Sequence, residues 1–125
     1  MVGIVVVSHS EKIANGISEL ALQISPKANI KSAGGIENGK FGTSTKKIKD
    51  AINSVYSKDG VVITVDIGST IINTEKAIKD FGDEVKILDC PLVEGTIVAA
   101  VEAGIGSDIN RIISETTKVK KMVKY

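Results

Sequence analysis

Residues 1–16 read Met1-Val2-Gly3-Ile4-Val5-Val6-Val7-Ser8-His9-Ser10-Glu11-Lys12-Ile13-Ala14-Asn15-Gly16, and the fold is decided here. Val2, Ile4, Val5, Val6 and Val7 are apolar and mostly β-branched, which gives a strand without a polar side. Such a strand must be covered on both faces, so it belongs inside a parallel sheet with helices above and below. The run breaks at Ser8-His9-Ser10 and passes directly into helical spacing. His9, the only histidine, therefore occupies the first strand-to-helix loop. In open α/β sheets ligands bind beyond the carboxyl ends of the strands. The N–H groups that open the following helix favour an anion beside it. The first hypothesis is a histidine that handles phosphate.

Working outward, Ser10 can cap a helix to about Ser25, with Ile13, Ile17, Leu20, Ala21 and Ile24 on one face. Pro26 closes it. A short strand over 29–33, alternating Ile30 and Lys31, reads as an edge. Residues 34–44 form the longest irregular stretch, and Thr43 or Ser44 can cap a helix with Ile48, Ala51, Ile52 and Val55 inward. Asp59-Gly60 turns the chain into a strand over 61–65 that is again apolar on both faces. It ends at Asp66-Ile67-Gly68-Ser69-Thr70, before a helix to about Phe81 with Ile71, Ile72, Ala77 and Ile78 expected inward. A fourth strand is expected over 84–88. Pro91 suits the first turn of the next helix, which carries Leu92, Val93, Ile97, Val98 and Val101. Gly104 and Gly106 interrupt that helix, and Ser107 or Asp108 caps a last one through about Thr117. The basic tail from Lys118 reads as a small edge strand or a frayed end.

Strands alternating with helices define an α/β fold: an open, mainly parallel sheet of four strands with right-handed crossovers and helices on both faces. By analogy with flavodoxin-like chains the strand order is 2-1-3-4, which puts the switch point between strands 1 and 3. His9 and Asp66 then leave neighbouring strands into one crevice. The glycine loop leaves strand 2, on the other side.

Composition narrows the functions. A chain of 125 residues, 42% hydrophobic and 25% charged, reads as one globular domain, 1–125. A net charge of +1 and four aromatic residues (Phe41, Tyr56, Phe81, Tyr125) argue against nucleic acid or an anionic membrane as partner. Cys90 is the only cysteine, which excludes an internal disulfide and a cysteine-built metal site. The amino-terminal apolar run is too short to span a bilayer, and no basic segment precedes it. The expected location is the cytoplasm.

Neither His9 nor Asp66 is informative alone, since loop histidines are often incidental and strand-end acids often cap helices. As a pair they are. A carboxylate on one ring nitrogen fixes the tautomer and leaves a lone pair on the other, which a phosphoryl-accepting histidine requires. Gly34, Gly39 and Lys40 match G-x-x-x-x-G-K, but Phe41 stands where a P-loop needs Ser or Thr for magnesium. Two readings of this loop stay open: backbone N–H groups approaching a phosphate or partner, or a flexible hairpin-like connection. Ser69 lacks a G-x-S-x-G elbow and shares a loop with Asp66, which argues against a hydrolase. No acids or other ligands stand at metal-binding spacing. Cys90 reads as a small packing residue.

Four motifs, in this order, span essentially the whole chain. They are Ser8-His9-Ser10; Gly34-Gly35 with Gly39 and Gly42-Thr43-Ser44; Val65-Asp66-Ile67-Gly68-Ser69 with Asn73 and Glu75; and Pro91-Leu92-Val93-Glu94-Gly95. Together they resemble the phosphotransfer subunits (DhaM) of phosphotransferase-dependent dihydroxyacetone kinases, relatives of the mannose-type IIA domain. The resemblance implies that His9 accepts a phosphoryl group from HPr and passes it to ADP on a DhaL subunit, with DhaK downstream holding dihydroxyacetone. It implies a homodimer with no bound cofactor of its own, a transient phosphohistidine, and ADP with magnesium on the partner. Asp66 becomes the residue that orients His9, and Ser8, Ser10, Gly39, Gly42, Thr43, Gly68 and Ser69 line the site for phosphate or partner. With the chain ending at Tyr125, HPr and enzyme I are expected as separate proteins. Thr70 stands where many relatives have Ala, a change expected to touch only the local shape of the loop. Two alternatives remain: a IIA subunit of a mannose-type sugar transporter, and a non-enzymatic binding domain. Ser8, Ser10 and the Asp66-Ile67-Gly68-Ser69 turn point away from the first, whose members more often carry Gly beside the histidine and a Phe-Gly-Gly-Ser-Pro turn.

Overall fold

The computed structural model describes residues 1–125. Strands β1 (Gly3–Ser8), β2 (Asn29–Gly34), β3 (Val61–Val65) and β4 (Val85–Ile87) alternate with helices α1 (Glu11–Ile24), α2 (Thr45–Val55), α3 (Ser69–Ile78), α4 (Leu92–Gly104) and α5 (Ile109–Lys118). All strand pairs are parallel and the order is β2-β1-β3-β4, the order expected from the sequence. Every residue of β1 and β3 is buried.

The pleat of β1 divides the core. Val2, Ile4 and Val6 pack with Ile17, Val62, Ile112 and the alanines of α4 on one face; Val5 and Val7 pack with Ile48, Ile52 and Ile63 on the other. Each of the buried valines and isoleucines contributes about 1.5–3 kcal/mol of hydrophobic stabilisation. The register then sets the site. Val7 lies opposite Val65, and Ser8 lies opposite Gly34. Asp66 therefore leaves β3 level with Ser8, beside the backbone of His9.

Two helix faces differ from the sequence expectation, and a third turns in residues other than the aliphatics it carries. In α1 the buried residues are Ala14, Ile17, Ser18 and Ala21, while Ile13, Leu20 and Ile24 are exposed. In α3 they are Thr70, Thr74 and Ala77, with Ile71 and Ile72 exposed and Ile78 partly packed. In α4 they are Gly95, Thr96, Ala99, Ala100 and Ala103. The reason is common to all three. Small side chains let a helix sit close against a two-sided sheet, so the helices turn those faces inward and leave larger aliphatics outside. The tail is not an edge strand. Val119–Lys121 form a 3₁₀ turn with Val119 buried, and Lys120 pairs with Asp89 at 2.7 Å.

Gly34 marks the tightest approach near the site. A Cβ there would stand 2.6 Å from the Ser10 carbonyl oxygen and 2.7 Å from Ala14 Cβ. Backbone atoms cannot step aside as a flexible side chain can. Gly34→Val is expected to reduce stability by about 1–3 kcal/mol, read from urea denaturation. An unchanged midpoint would mean that α1 can move away from β2.

Candidate functional site

The site forms where β1 and β3 end. Asp66, the residue after β3, turns back across the gap, and its side chain is only 16% exposed. Its Oδ2 accepts from the Ser8 hydroxyl at 2.8 Å and from the His9 backbone N–H at 2.9 Å. Its Oδ1 accepts from the Ile67 N–H at 2.7 Å and lies 3.1 Å from His9 Nδ1. Thr70 Oγ1 is closer still to Nδ1, at 2.8 Å. On the far edge of the ring, Nε2 lies 2.9 Å from Ser69 Oγ. The His9 side chain keeps 32% of its surface exposed.

These distances fix what the histidine can do. A carboxylate beside an unprotonated Nδ1 would set two lone pairs against each other, so the ring hydrogen belongs on Nδ1. Nε2 then carries the lone pair, and Ser69 donates to it. The outcome is an accessible nucleophilic nitrogen on a ring held from behind.

The lining residues fall into two groups. Ser69 touches the ring, and Gly68, at φ +57°, makes the left-handed turn that brings α3 in beneath it. Thr43 accepts from the Asn73 amide, which ties the glycine loop to α3. Gly42 donates its N–H to the His9 carbonyl at 2.9 Å, and Gly35 to the Ser8 carbonyl at 3.0 Å. Those N–H groups hold the end of β1 and are not aimed at a phosphate. Ser8 and Ser10 are buried: Ser8 accepts from the Ser10 N–H, and Ser10 caps α1 through the Ile13 N–H. They support the loop from behind. Gly39 sits in the exposed 3₁₀ turn Glu37–Gly39 and makes no hydrogen bond to His9 or Asp66. The helix that begins at the ring is α3, through Ser69 and Thr70, whereas the sequence had pointed to α1.

Thr70 is the residue whose part the sequence understated, since its hydroxyl reaches the ring. Nothing in sequence spacing alone tells which member of a loop turns its hydroxyl inward. Cys90 is half-buried with Sγ against Gly95, and burial with the nearby Asp89 charge pushes its thiol up to about 11, as suits packing. No three His, Cys, Asp or Glu side chains cluster as a metal site would need. No helix is long and apolar enough to cross a membrane.

Fold and site together define a doubly wound α/β domain that offers one carboxylate-held histidine at its switch point. The chain belongs to the EIIA-man family, described as the fructose IIA component of the phosphotransferase system, whose profile matches residues 3–113. Its sequence is 35% identical over 124 residues to phosphoryl donor subunit DhaM of the PEP-dependent dihydroxyacetone kinase 2 of Listeria innocua, covering 95% of this chain and 99% of that protein. It is 37% identical over 121 residues to the corresponding DhaM of Escherichia coli, where the match covers 90% of this chain but only 26% of the longer relative. The crystal structure of EF1359, a protein of unknown function, superposes with a TM-score of 0.84 at 31% identity over 97% of this chain and 96% of that one. The mannose/sorbose-specific IIA subunit from Enterococcus faecalis, at 12% identity and a TM-score of 0.54, covering 99% of this chain and 94% of that one, shares the fold. The resemblance to DhaM drawn from the motifs is borne out.

The Asp66 network makes stability depend on pH. Burial alone would push the Asp66 carboxyl up, but hydrogen bonds from Thr70, the His9 N–H, Ser8 and the Ile67 N–H outweigh it and hold it at about 2. A carboxyl depressed in the folded chain stabilises that chain above its ordinary value near ~4 and loses the effect as pH falls through its folded value. Between about pH 4 and pH 2, the wild type should lose stability more steeply than Asp66→Asn. Urea midpoints across that range test this, and parallel curves would mean that the network does not depress Asp66.

Proposed function

We propose that this chain is the phosphoryl donor subunit of a phosphoenolpyruvate-dependent dihydroxyacetone kinase. In this reading it is a cytoplasmic carrier. His9 takes a phosphoryl group from HPr and hands it to ADP on a DhaL subunit, and dihydroxyacetone on DhaK is phosphorylated downstream. The observation that carries the reading is the ring of His9, fixed at Nδ1 with Nε2 exposed. The names of its relatives support the rest.

In the transfer, the Nε2 lone pair attacks phosphorus, the P–N bond forms, and the bond to the donor breaks with its electron pair leaving on the donor. The ring retains the Nδ1 hydrogen and becomes cationic, and Asp66 stabilises that charge. In the second transfer the P–Nε2 pair returns to nitrogen. Positioning and charge are all that such a displacement asks of the protein. ADP and its magnesium belong to the partner, so the carrier needs no cofactor. Ser69 moves from Nε2 to a phosphoryl oxygen, Thr43 and Gly68 line the approach, and Ser8, Ser10 and Gly42 brace the loop. Exposed Phe41 and Ile67, at 79% and 73%, stand next in sequence to Gly42 and Asp66 and offer partner proteins an apolar rim.

The carrier is further proposed to be a homodimer. Ile13, Leu20 and Ile24 of α1 and Val93 and Val101 of α4, with Ile105 just beyond it, are large exposed aliphatics on two helices that cover the same face of the sheet. Ile24, Val101 and Ile105 line one groove. α4 is apolar on nearly all sides, as expected of a helix covered on both faces, and an isologous contact would cover it.

Incubation with phosphoenolpyruvate, enzyme I and HPr should add one acid-labile phosphoryl group by intact mass to the wild type and none to His9→Ala. Asp66→Asn should slow uptake by about ten- to a hundredfold. Adding DhaL, DhaK and ADP should yield phosphorylated dihydroxyacetone, and a complete mixture that yields none would defeat the kinase assignment. For the dimer, light scattering should give twice the chain mass for the wild type and the single mass for Leu20→Glu with Val101→Glu. A monomeric wild type rejects this part of the proposal.

A further inference from the structure

We infer that Thr70 is a positioning residue for phosphoryl transfer, its hydroxyl accepting the hydrogen bond of the His9 Nδ1–H beside Asp66. The inference rests on the reading of His9 as the carrier. Nδ1 bears one hydrogen and faces two oxygens, Thr70 Oγ1 at 2.8 Å and Asp66 Oδ1 at 3.1 Å. The nearer one is a neutral hydroxyl on a fully buried residue. A hydroxyl can accept and donate at once, whereas a carboxylate only accepts. The Asp66 carboxylate, 3.1 Å from Nδ1, holds the ring hydrogen on that nitrogen, so the Thr70 hydroxyl meets Nδ1–H as an acceptor.

The opposite direction is excluded by the same charges. If Thr70 donated to Nδ1, the ring hydrogen would sit on Nε2, the nucleophilic lone pair would be lost, and the bare Nδ1 would face a carboxylate. Thr70 thus adds a second acceptor that holds the reactive tautomer in the resting ring. When the P–Nε2 bond forms and the ring becomes cationic, the same hydroxyl remains on Nδ1–H and passes the stabilising field of Asp66 inward. Nothing is transferred to Thr70. It acts through the orientation and polarity of the ring.

The test compares Thr70→Val, nearly isosteric but without the hydroxyl, with Thr70→Ser, which restores it. Nitrogen-15 NMR of unphosphorylated, histidine-labelled protein at neutral pH reads the tautomer. Phosphoryl uptake from phosphorylated HPr gives the rate. Wild type and Thr70→Ser should show the Nδ1–H form. Thr70→Val should show a mixture and take up phosphate about three- to tenfold more slowly. The inference is overturned if Thr70→Val keeps the wild-type tautomer and rate, or if folded Thr70→Ser behaves like Thr70→Val. Should Thr70→Val not fold, Thr70→Ala is read in the same way, and a wild-type ring with its hydrogen on Nε2 would be sufficient refutation. Wild-type protein that takes up no phosphoryl group overturns the carrier reading as well. Normal wild-type uptake with an indifferent Thr70→Val overturns this inference alone.

Discussion

One carboxylate joins the ends of two parallel strands. Asp66 leaves β3 and gathers the Ser8 hydroxyl, the His9 and Ile67 N–H groups and the His9 ring around its two oxygens. The donors come from two loops, the one that follows β1 and the one that follows β3. A partly buried anion with that many partners is stabilised as an anion and is stiffly held. The His9 ring inherits that stiffness, because its backbone N–H and its Nδ1 both meet the same carboxylate. A histidine on a free loop would sample rotamers and both tautomers. Here the loop has one arrangement because the charge behind it has one.

The packing supplies the rest. β1 and β3 are buried on both faces, so neither can slip in register without moving its whole apolar set, and the heights of Ser8 and Val65 are fixed with them. On α3 the sheet-facing positions are Thr70, Thr74 and Ala77 where an aliphatic stripe would be ordinary. Threonine at the first of these puts a hydroxyl against the ring without opening a void. The glycine-rich stretch is the other half of the support, since its N–H groups close on the Ser8 and His9 carbonyls. It is a brace with an exposed apolar tip at Phe41, and it does not form a phosphate cradle.

Such a site suits chemistry shared between proteins. Nε2 is open, the surroundings are shallow, and no set of metal ligands encloses it. The similarity to dihydroxyacetone kinase donor subunits extends over nearly the full length of the Listeria innocua protein and about a quarter of the Escherichia coli one. The family match over residues 3–113 takes in both His9 and Asp66.

Read alone, the sequence determines the architecture. A strand apolar on both sides can only lie between helical layers, so Val2–Val7 and Val61–Val65 dictate a parallel sheet, while the pairing of His9 with Asp66 followed only from a strand order taken by analogy. The inward face of Ile48, Ala51, Ile52 and Val55 is legible for the same reason, because helical period and burial agree there. They disagree in α1, α3 and α4, where close approach selects Ala, Thr and Gly for the inside and pushes Ile13, Leu20, Ile71 and Ile72 out. Periodicity registers apolar residues and is blind to how near a helix can come. The part played by Thr70 was likewise decided only by the tertiary structure. A hydrogen bond depends on the direction of a side chain across residues far apart in sequence, and that direction exists only once β1, β3 and α3 have packed.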